Sequence, residues 1–188
     1  LRFVQHATNY FWRSRESTKK KGPPKRAQWE SNLPRRNNHQ GTRVHDMTKI
    51  ESFQGEFRWL SNFHPCLINY EGRIYPAVEN AYQAAKKHPS QRAPFVNIGP
   101  GLAKRMGRSG TIREDWETVK IGVMTQLVAD KFSPDSVLAR QLIGTGFAEI
   151  IEGNTWGDRF WGVCRGEGAN HLGRILMERR LFLTGLTK

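Results

Sequence analysis

Two stretches of this chain carry side chains suited to bond-breaking chemistry. The first, Trp156-Gly157-Asp158-Arg159-Phe160-Trp161-Gly162-Val163-Cys164-Arg165-Gly166-Glu167-Gly168-Ala169-Asn170, brings an aspartate, two tryptophans, four glycines and an asparagine into fifteen residues. Glycines let backbone approach a ligand and free N–H groups for anions. Tryptophans offer flat faces for a sugar or a base. Asp158 supplies a carboxylate for proton or charge chemistry. The second stretch is Tyr75-Pro76-Ala77-Val78-Glu79, which sets an acid in the first turn of an expected helix. A carboxylate there also interacts favourably with the helix dipole, so on residue type alone Glu79 reads first as a helix-start acid.

These residues need elements to hold them. Residues 50–53 read as a short strand, and Phe57, Trp59, Leu60 and Phe63 form an aromatic cluster after it. The runs 66–70 and 73–75 flank Glu71-Gly72, the pattern of a hairpin with a two-residue turn. Pro76 opens an alanine-rich helix over 77–87, with Val78, Ala81, Tyr82 and Ala85 as its apolar stripe. A short helix follows at 102–106, ending near Gly107. The longest helix spans 113–132, with Trp116, Val119, Val123, Leu127 and Val128 on one face. Further helices are expected at 134–143 and 170–183, with a short strand at 147–151. The chain has no internal repeats. Many helices with few short strands give an α+β class: a mostly helical single domain from residue 47 to residue 188.

The 188 residues carry a net charge of +13, unevenly spread. Residues 1–46 hold eleven Lys and Arg against three Asp and Glu, so +8; residues 47–188 hold nineteen against fourteen, so +5. The first segment has only Leu1, Val4, Leu33 and Val44 as aliphatic residues, too few to offset the entropy of ordering. It is expected to be a basic arm, extended or disordered. Its runs Lys19-Lys20-Lys21 and Lys25-Arg26, with Phe11, Trp12 and Trp29 nearby, suit phosphate backbones and bases. Nucleic acid is therefore a candidate partner of the arm, and a solvated tail without a partner is the alternative. Met47 heads the globular segment, so the arm also reads as processed or appended sequence. Cys66 and Cys164 match no zinc spacing and read as reduced thiols of an intracellular compartment, the cytoplasm or an organelle. No apolar run approaches the length of a membrane span, so no membrane partner is expected.

Five motifs, in order, resemble the NADAR or YbiA-like family. They are Gly55-Glu56-Phe57-Arg58-Trp59-Leu60-Ser61-Asn62-Phe63, Tyr75 through Lys86, Ala103-Lys104-Arg105-Met106-Gly107-Arg108, Asp115-Trp116-Glu117, and Glu152-Gly153-Asn154-Thr155-Trp156-Gly157-Asp158 through Gly173. The resemblance covers roughly residues 50–183 and leaves the arm outside. It implies a compact α+β domain and N-glycosidase chemistry on ADP-ribose-like or ribosyl and ribityl phosphate compounds. The implied substrates are phosphorylated intermediates of riboflavin synthesis or ADP-ribose attached to guanine in nucleic acid. It assigns catalysis to Glu79 and Asp158. It assigns substrate binding to Trp116 and Trp161, with Asn170 after Gly166 and Gly168. Position 80 is asparagine where many relatives are expected to carry histidine, so a role resting on imidazole is lost there.

Breaking an N-glycosidic bond passes through an oxocarbenium-like sugar. A carboxylate is needed to stabilise that charge or activate water, and the sugar must be held still. Glu79 is expected to activate water or stabilise the cation, and Asp158 to assist it or bind a hydroxyl. Lys104 and Arg105, with Arg108, are expected to neutralise phosphate charge, or else to form a solvated basic face. Arg58 and Asn62 are expected to contact substrate from the aromatic cluster. Trp116 also reads as core, because it begins an apolar helical stripe. Cys164 reads as a packed thiol. No cofactor and no metal are expected. The competing reading is a non-catalytic structural or nucleic-acid-binding component of a large assembly, anchored by the arm.

Overall fold

The computed structural model describes residues 48–185; the basic arm, residues 1–46, lies outside the described residues. Among these, five α-helices and three two-stranded ladders form an α+β arrangement. Strand β1 (Lys49–Ile50) leads into a 3-10 helix, Gly55–Leu60. Strands β2 (Ile68–Tyr70) and β3 (Arg73–Tyr75) pair antiparallel through Glu71-Gly72. Both turn residues have positive φ, 47° and 76°, as a tight hairpin turn requires.

Helix α1 (Val78–Ala85) is the centre of the domain: all eight of its residues are buried. Helix α2 (Pro100–Arg108) lies against one side and α3 (Trp116–Lys131) against another. Helix α4 (Val137–Gly144) and α5 (His171–Leu183) follow, α5 packing on both α3 and α4. Three very short strands complete the chain: β4 (Glu149–Ile150) pairs parallel with β1, and β5 (Gly153–Asn154) pairs parallel with β6 (Val163–Cys164). The core joins Leu60, Ile68, Tyr75, Met124, Leu127, Phe132, Leu142, Leu172 and Leu176, all nearly inaccessible. No helix among the described residues is long and apolar enough to cross a membrane.

A helix buried all round must satisfy its polar side chains internally. Asn80 does this with its nitrogen alone: Nδ2 donates to the carbonyls of Phe95 (2.9 Å) and Ile98 (2.8 Å), while Oδ1 is buried without a partner. It thereby ties the loop before α2 to α1. Asn80→Leu should leave two buried carbonyls unpaired and cost about 2 kcal/mol or more. Thermal melting checks this, with a Tm at least about 4 °C lower for a domain of this size. Lys131 does similar work at the end of α3. Its ammonium donates to the Ser61 carbonyl at 2.7 Å and the Leu60 carbonyl at 3.3 Å. These carbonyls lie where the 3-10 helix ends and lacks its own donors. Burial pushes the pKa of Lys131 down to about 8.

The helices expected from the sequence all form, with shifted ends. The short helix near residue 102 starts at Pro100 and runs to Arg108, one turn longer than its apolar residues indicate. The 3-10 helix and strands β5 and β6 have no counterpart in the sequence reading. Cys66 and Cys164 are free thiols, Cys164 buried.

Candidate active site

A cleft of about 680 Å³ opens between α1, α2, the 3-10 helix and the loop joining β5 to β6. Its size falls within the range of pockets that hold small ligands. Glu79 lies in its wall at 5% exposure, held on the polar face of α1. Gln83, one turn later, donates its Nε2 hydrogen to Glu79 Oε1 at 2.8 Å. The carboxylate is thus aimed by its own helix. Gln83 is in turn confined by Gly107 of α2, where an added Cβ would stand 2.0 Å from Gln83 Oε1. Only glycine permits this approach of α2 to α1. Burial pushes the pKa of Glu79 up, while the Gln83 hydrogen bond and the charges of Lys104, Lys86 and Arg108 pull it back.

Four cations line the same cleft: Arg58 on the 3-10 helix, Lys86 just past α1, and Lys104 and Arg108 on α2. Lys104 and Arg108 are four residues apart and so share one helix face. Lys104 Nζ also stands over the rings of Phe63 (5.4 Å) and Trp156 (5.9 Å). Those two rings form an aromatic rim, Trp156 being 60% exposed. Asn62 lines the cleft near α3, its Nδ2 3.6 Å from Met124 Sδ.

The β5–β6 loop supplies the opposite wall. Asn154 clamps it from within: its Nδ2 donates to the Asp158 carbonyl at 2.7 Å, and its Oδ1 accepts from Asp158 N at 3.0 Å. Asp158 then turns the chain again, with Oδ1 accepting from the amides of Phe160 (3.0 Å) and Trp161 (2.8 Å). One oxygen of Asp158 is therefore committed to the backbone, and the residue lines the cleft. Trp161 also lines it, edge-on to Tyr82 with ring centroids 5.5 Å apart.

Glu152 enters the cleft just before β5. Its amide donates to Asn170 Oδ1 at 3.1 Å, and its carbonyl accepts from Val163 N at 2.9 Å. Its side chain has no such support: Oε2 is buried without a hydrogen-bond partner. Burial, with the nearby Asp158 charge, pushes its pKa up to about 8.

Seven residues given a role in the sequence thus meet in one cleft: Glu79, Asp158, Arg58, Asn62, Lys104, Arg108 and Trp161. Five others lie outside its lining. Trp116 is buried at 6% exposure, packed edge-on against Tyr82 at 5.0 Å, in keeping with its core reading. Arg105 is exposed, because the α2 face that turns Lys104 and Arg108 to the cleft turns Arg105 away. Gly166 and Gly168 shape the turn after β6 through positive φ, and Asn170 holds the link from β4 to β5 through Ile150 and Glu152. Asn170 thereby holds the Glu152 amide in place.

The profile of the NADAR domain family matches residues 50–184. The chain belongs to the NADAR family. The NADAR domain is similar to the N-glycosidase YbiA of Escherichia coli, 35% identical over 126 residues, covering 64% of this chain and 78% of that protein. It is 36% identical over 124 residues to a riboflavin biosynthesis protein of Vibrio vulnificus, and 36% over 149 residues to a chloroplastic one of Zea mays. It spans only 34% and 24% of those two longer relatives. The NMR structure of Escherichia coli YbiA superposes with a TM-score of 0.65 at 32% identity, covering 76% of this chain and 90% of that one.

The sequence reading gave no role to Lys86, Gln83 and Glu152, and named Trp156 only as one of two tryptophans with a face for a sugar or base. Lys86 and Gln83 follow Glu79 within two turns, and a 3.6-residue period extended from Glu79 places Gln83 and Lys86 on its face. Trp156 and Glu152 stand within the last motif, but nothing in residue type alone separates a cleft acid from a surface one.

Proposed function

We propose that this NADAR domain is a hydrolase that cleaves the N-glycosidic bond of a phosphorylated ribosyl compound. The observation that carries the reading is the buried carboxylate of Glu79, aimed by Gln83 into a cleft lined by four cations. The cations suit phosphate or diphosphate oxygens. The rings of Trp156, Phe63 and Trp161 suit the flat base. The YbiA relative is named an N-glycosidase, which supports the same chemistry.

In this reaction the bond from C1′ to the base nitrogen breaks as positive charge grows on the sugar. Glu79 takes a proton from water, whose oxygen bonds to C1′. The base departs with its bonding pair and gains a proton. Asp158, held by two backbone amides through Oδ1, offers its second oxygen to a ribose hydroxyl. The chain's own residues supply binding, orientation and proton transfer.

Two substrate sets separate the options: phosphorylated ribosylaminopyrimidines of riboflavin synthesis, and guanosine bearing ADP-ribose. Release of ribose 5-phosphate or ADP-ribose by the purified chain supports the proposal; no release from either set overturns it. Lys104→Ala should raise KM about tenfold or more with a smaller effect on kcat, since a phosphate contact acts in ground and transition states alike. Arg105→Ala should leave both within about twofold, because Arg105 faces solvent. Steady-state kinetics of the two variants check the contrast.

A further inference from the structure

Three carboxyl groups share the cleft, and the N-glycosidase reading uses two of them. Glu152 is the third, and its surroundings differ from those of the other two. Glu79 accepts a hydrogen bond from Gln83 and faces Lys86, Lys104 and Arg108. Asp158 accepts two backbone amides. Glu152 has an Oε2 sealed from water with no donor in reach. The charged groups that face it are Asp158, Lys104 and Glu79: two acids against a single base.

Glu152 as a whole is half-buried, but a carboxylate with one oxygen sealed away from any donor is costly, and like charges nearby raise the cost further. The inexpensive state is the protonated acid. A protonated carboxyl carries one hydrogen that it can give. Its main chain is fixed on both sides, by Asn170 at the amide and Val163 at the carbonyl. The group is therefore held on the cleft wall, next to the loop that carries Asp158 and Trp161.

We infer that Glu152 is a second catalytic acid of this cleft, donating its proton to the base nitrogen as the glycosidic bond breaks. This rests on the N-glycosidase reading and completes its proton balance. Water loses one proton to Glu79, and its oxygen joins C1′. The leaving nitrogen keeps the bonding pair and takes the Glu152 proton. Glu79 then holds a proton and Glu152 is ionised; transfer through cleft water restores both. The sum is one water consumed, with a sugar hydroxyl and a protonated base as products. Both acids have raised pKa values, but Glu79 alone has a hydrogen-bond donor and three cations that pull its pKa back, so it is the one of the two fitted to act as the base.

The test is the pH dependence of kcat on a ribosylaminopyrimidine 5′-phosphate, for wild type, Glu152→Gln and Glu152→Asp. Wild type should show a bell with its alkaline limb near pH 8, set by Glu152, and its acid limb above the ordinary carboxylate range, set by Glu79. Glu152→Gln should lose roughly 10²-fold or more in kcat and its alkaline limb should vanish. Glu152→Asp should retain a displaced alkaline limb with partial activity. An unchanged kcat, or an unchanged alkaline limb in Glu152→Gln, overturns the role. A wild type inactive on every glycoside overturns the N-glycosidase reading together with it, so the two failures are told apart.

A second readout needs no turnover. Between the ordinary carboxylate pKa near 4.3 and the folded value near 8, the unfolded chain has released the proton that the folded chain keeps. Stability attributable to Glu152 therefore falls as pH rises through that window. Tm of wild type minus Tm of Glu152→Gln should fall between pH 5 and pH 8. A flat difference overturns the protonated state on which the inference stands.

Discussion

Glu79→Gln should remove N-glycoside cleavage, lowering kcat on the order of 10³-fold, while Tm holds or rises. The amide is close to the carboxylate in shape, and its oxygen can still accept the 2.8 Å hydrogen bond from Gln83. Packing around α1 is unchanged. What disappears is the ability to take a proton from water and to place negative charge near C1′. The stability side follows from burial. The folded protein raises the pKa of Glu79, so folding disfavours its charge. An unchargeable side chain of the same size avoids that cost at neutral pH. Product assay and thermal melting on the same preparation check both halves. Full activity in the variant dismisses Glu79 from catalysis, whereas loss of activity with a collapsed Tm assigns it to structure.

Gly168→Ala should destabilise the domain and disable the site together. The residue has φ of 151°, which side-chain-bearing residues rarely adopt. An added Cβ would lie 2.1 Å from the Gly162 carbonyl oxygen, 3.0 Å from Val163 Cα and 3.1 Å from the Arg159 carbonyl oxygen. All three are backbone atoms and cannot swing aside. Backbone strain and overpacking together should cost roughly 3 kcal/mol. For a chain of this size that lowers Tm by about 10 °C. The strands of chain that must yield also carry Asp158 and Trp161, so kcat should fall with stability. Gly166→Ala is the internal comparison. Its φ is 81°, but nothing lies within 4 Å of the new Cβ. It should cost about 1 kcal/mol and leave kcat near wild type. Equal Tm losses in the two variants count against the close-approach account.

Much of the helical framework was legible, because α1 carries a clear apolar period, α3 and α5 bury Val123, Leu127, Leu172 and Leu176 at helical spacing, and Pro76 and Gly144 mark boundaries. The hairpin was legible from Glu71-Gly72. Two kinds of information were hidden. A two-residue strand such as β5 or β6 has no period to read, since its pairing is decided by side chains such as Asn154 acting over the loop. The second is burial of a polar face. Val78, Ala81, Tyr82 and Ala85 marked one buried side of α1, but Glu79, Asn80 and Gln83 are buried as well. Polar residue type predicts exposure, and that expectation failed where the loop before α2 and the helix itself close over the face. The candidate site was partly legible for the same reason. Asp158 and Trp161 stood out because glycines surrounded them. Glu152 did not, because its environment is made by residues distant in sequence.

The parallel pairing of β1 with β4 joins residues about 100 positions apart. Contacts of that separation close late, because the loop entropy must be met before they stabilise anything. Helix α1 meets α2 through nearby sequence, whereas the wall bearing Glu152 and Asp158 is anchored directly behind β4. During refolding, helical circular dichroism should therefore recover before turnover does, and a truncated or nicked chain can look well folded by spectroscopy yet hydrolyse nothing.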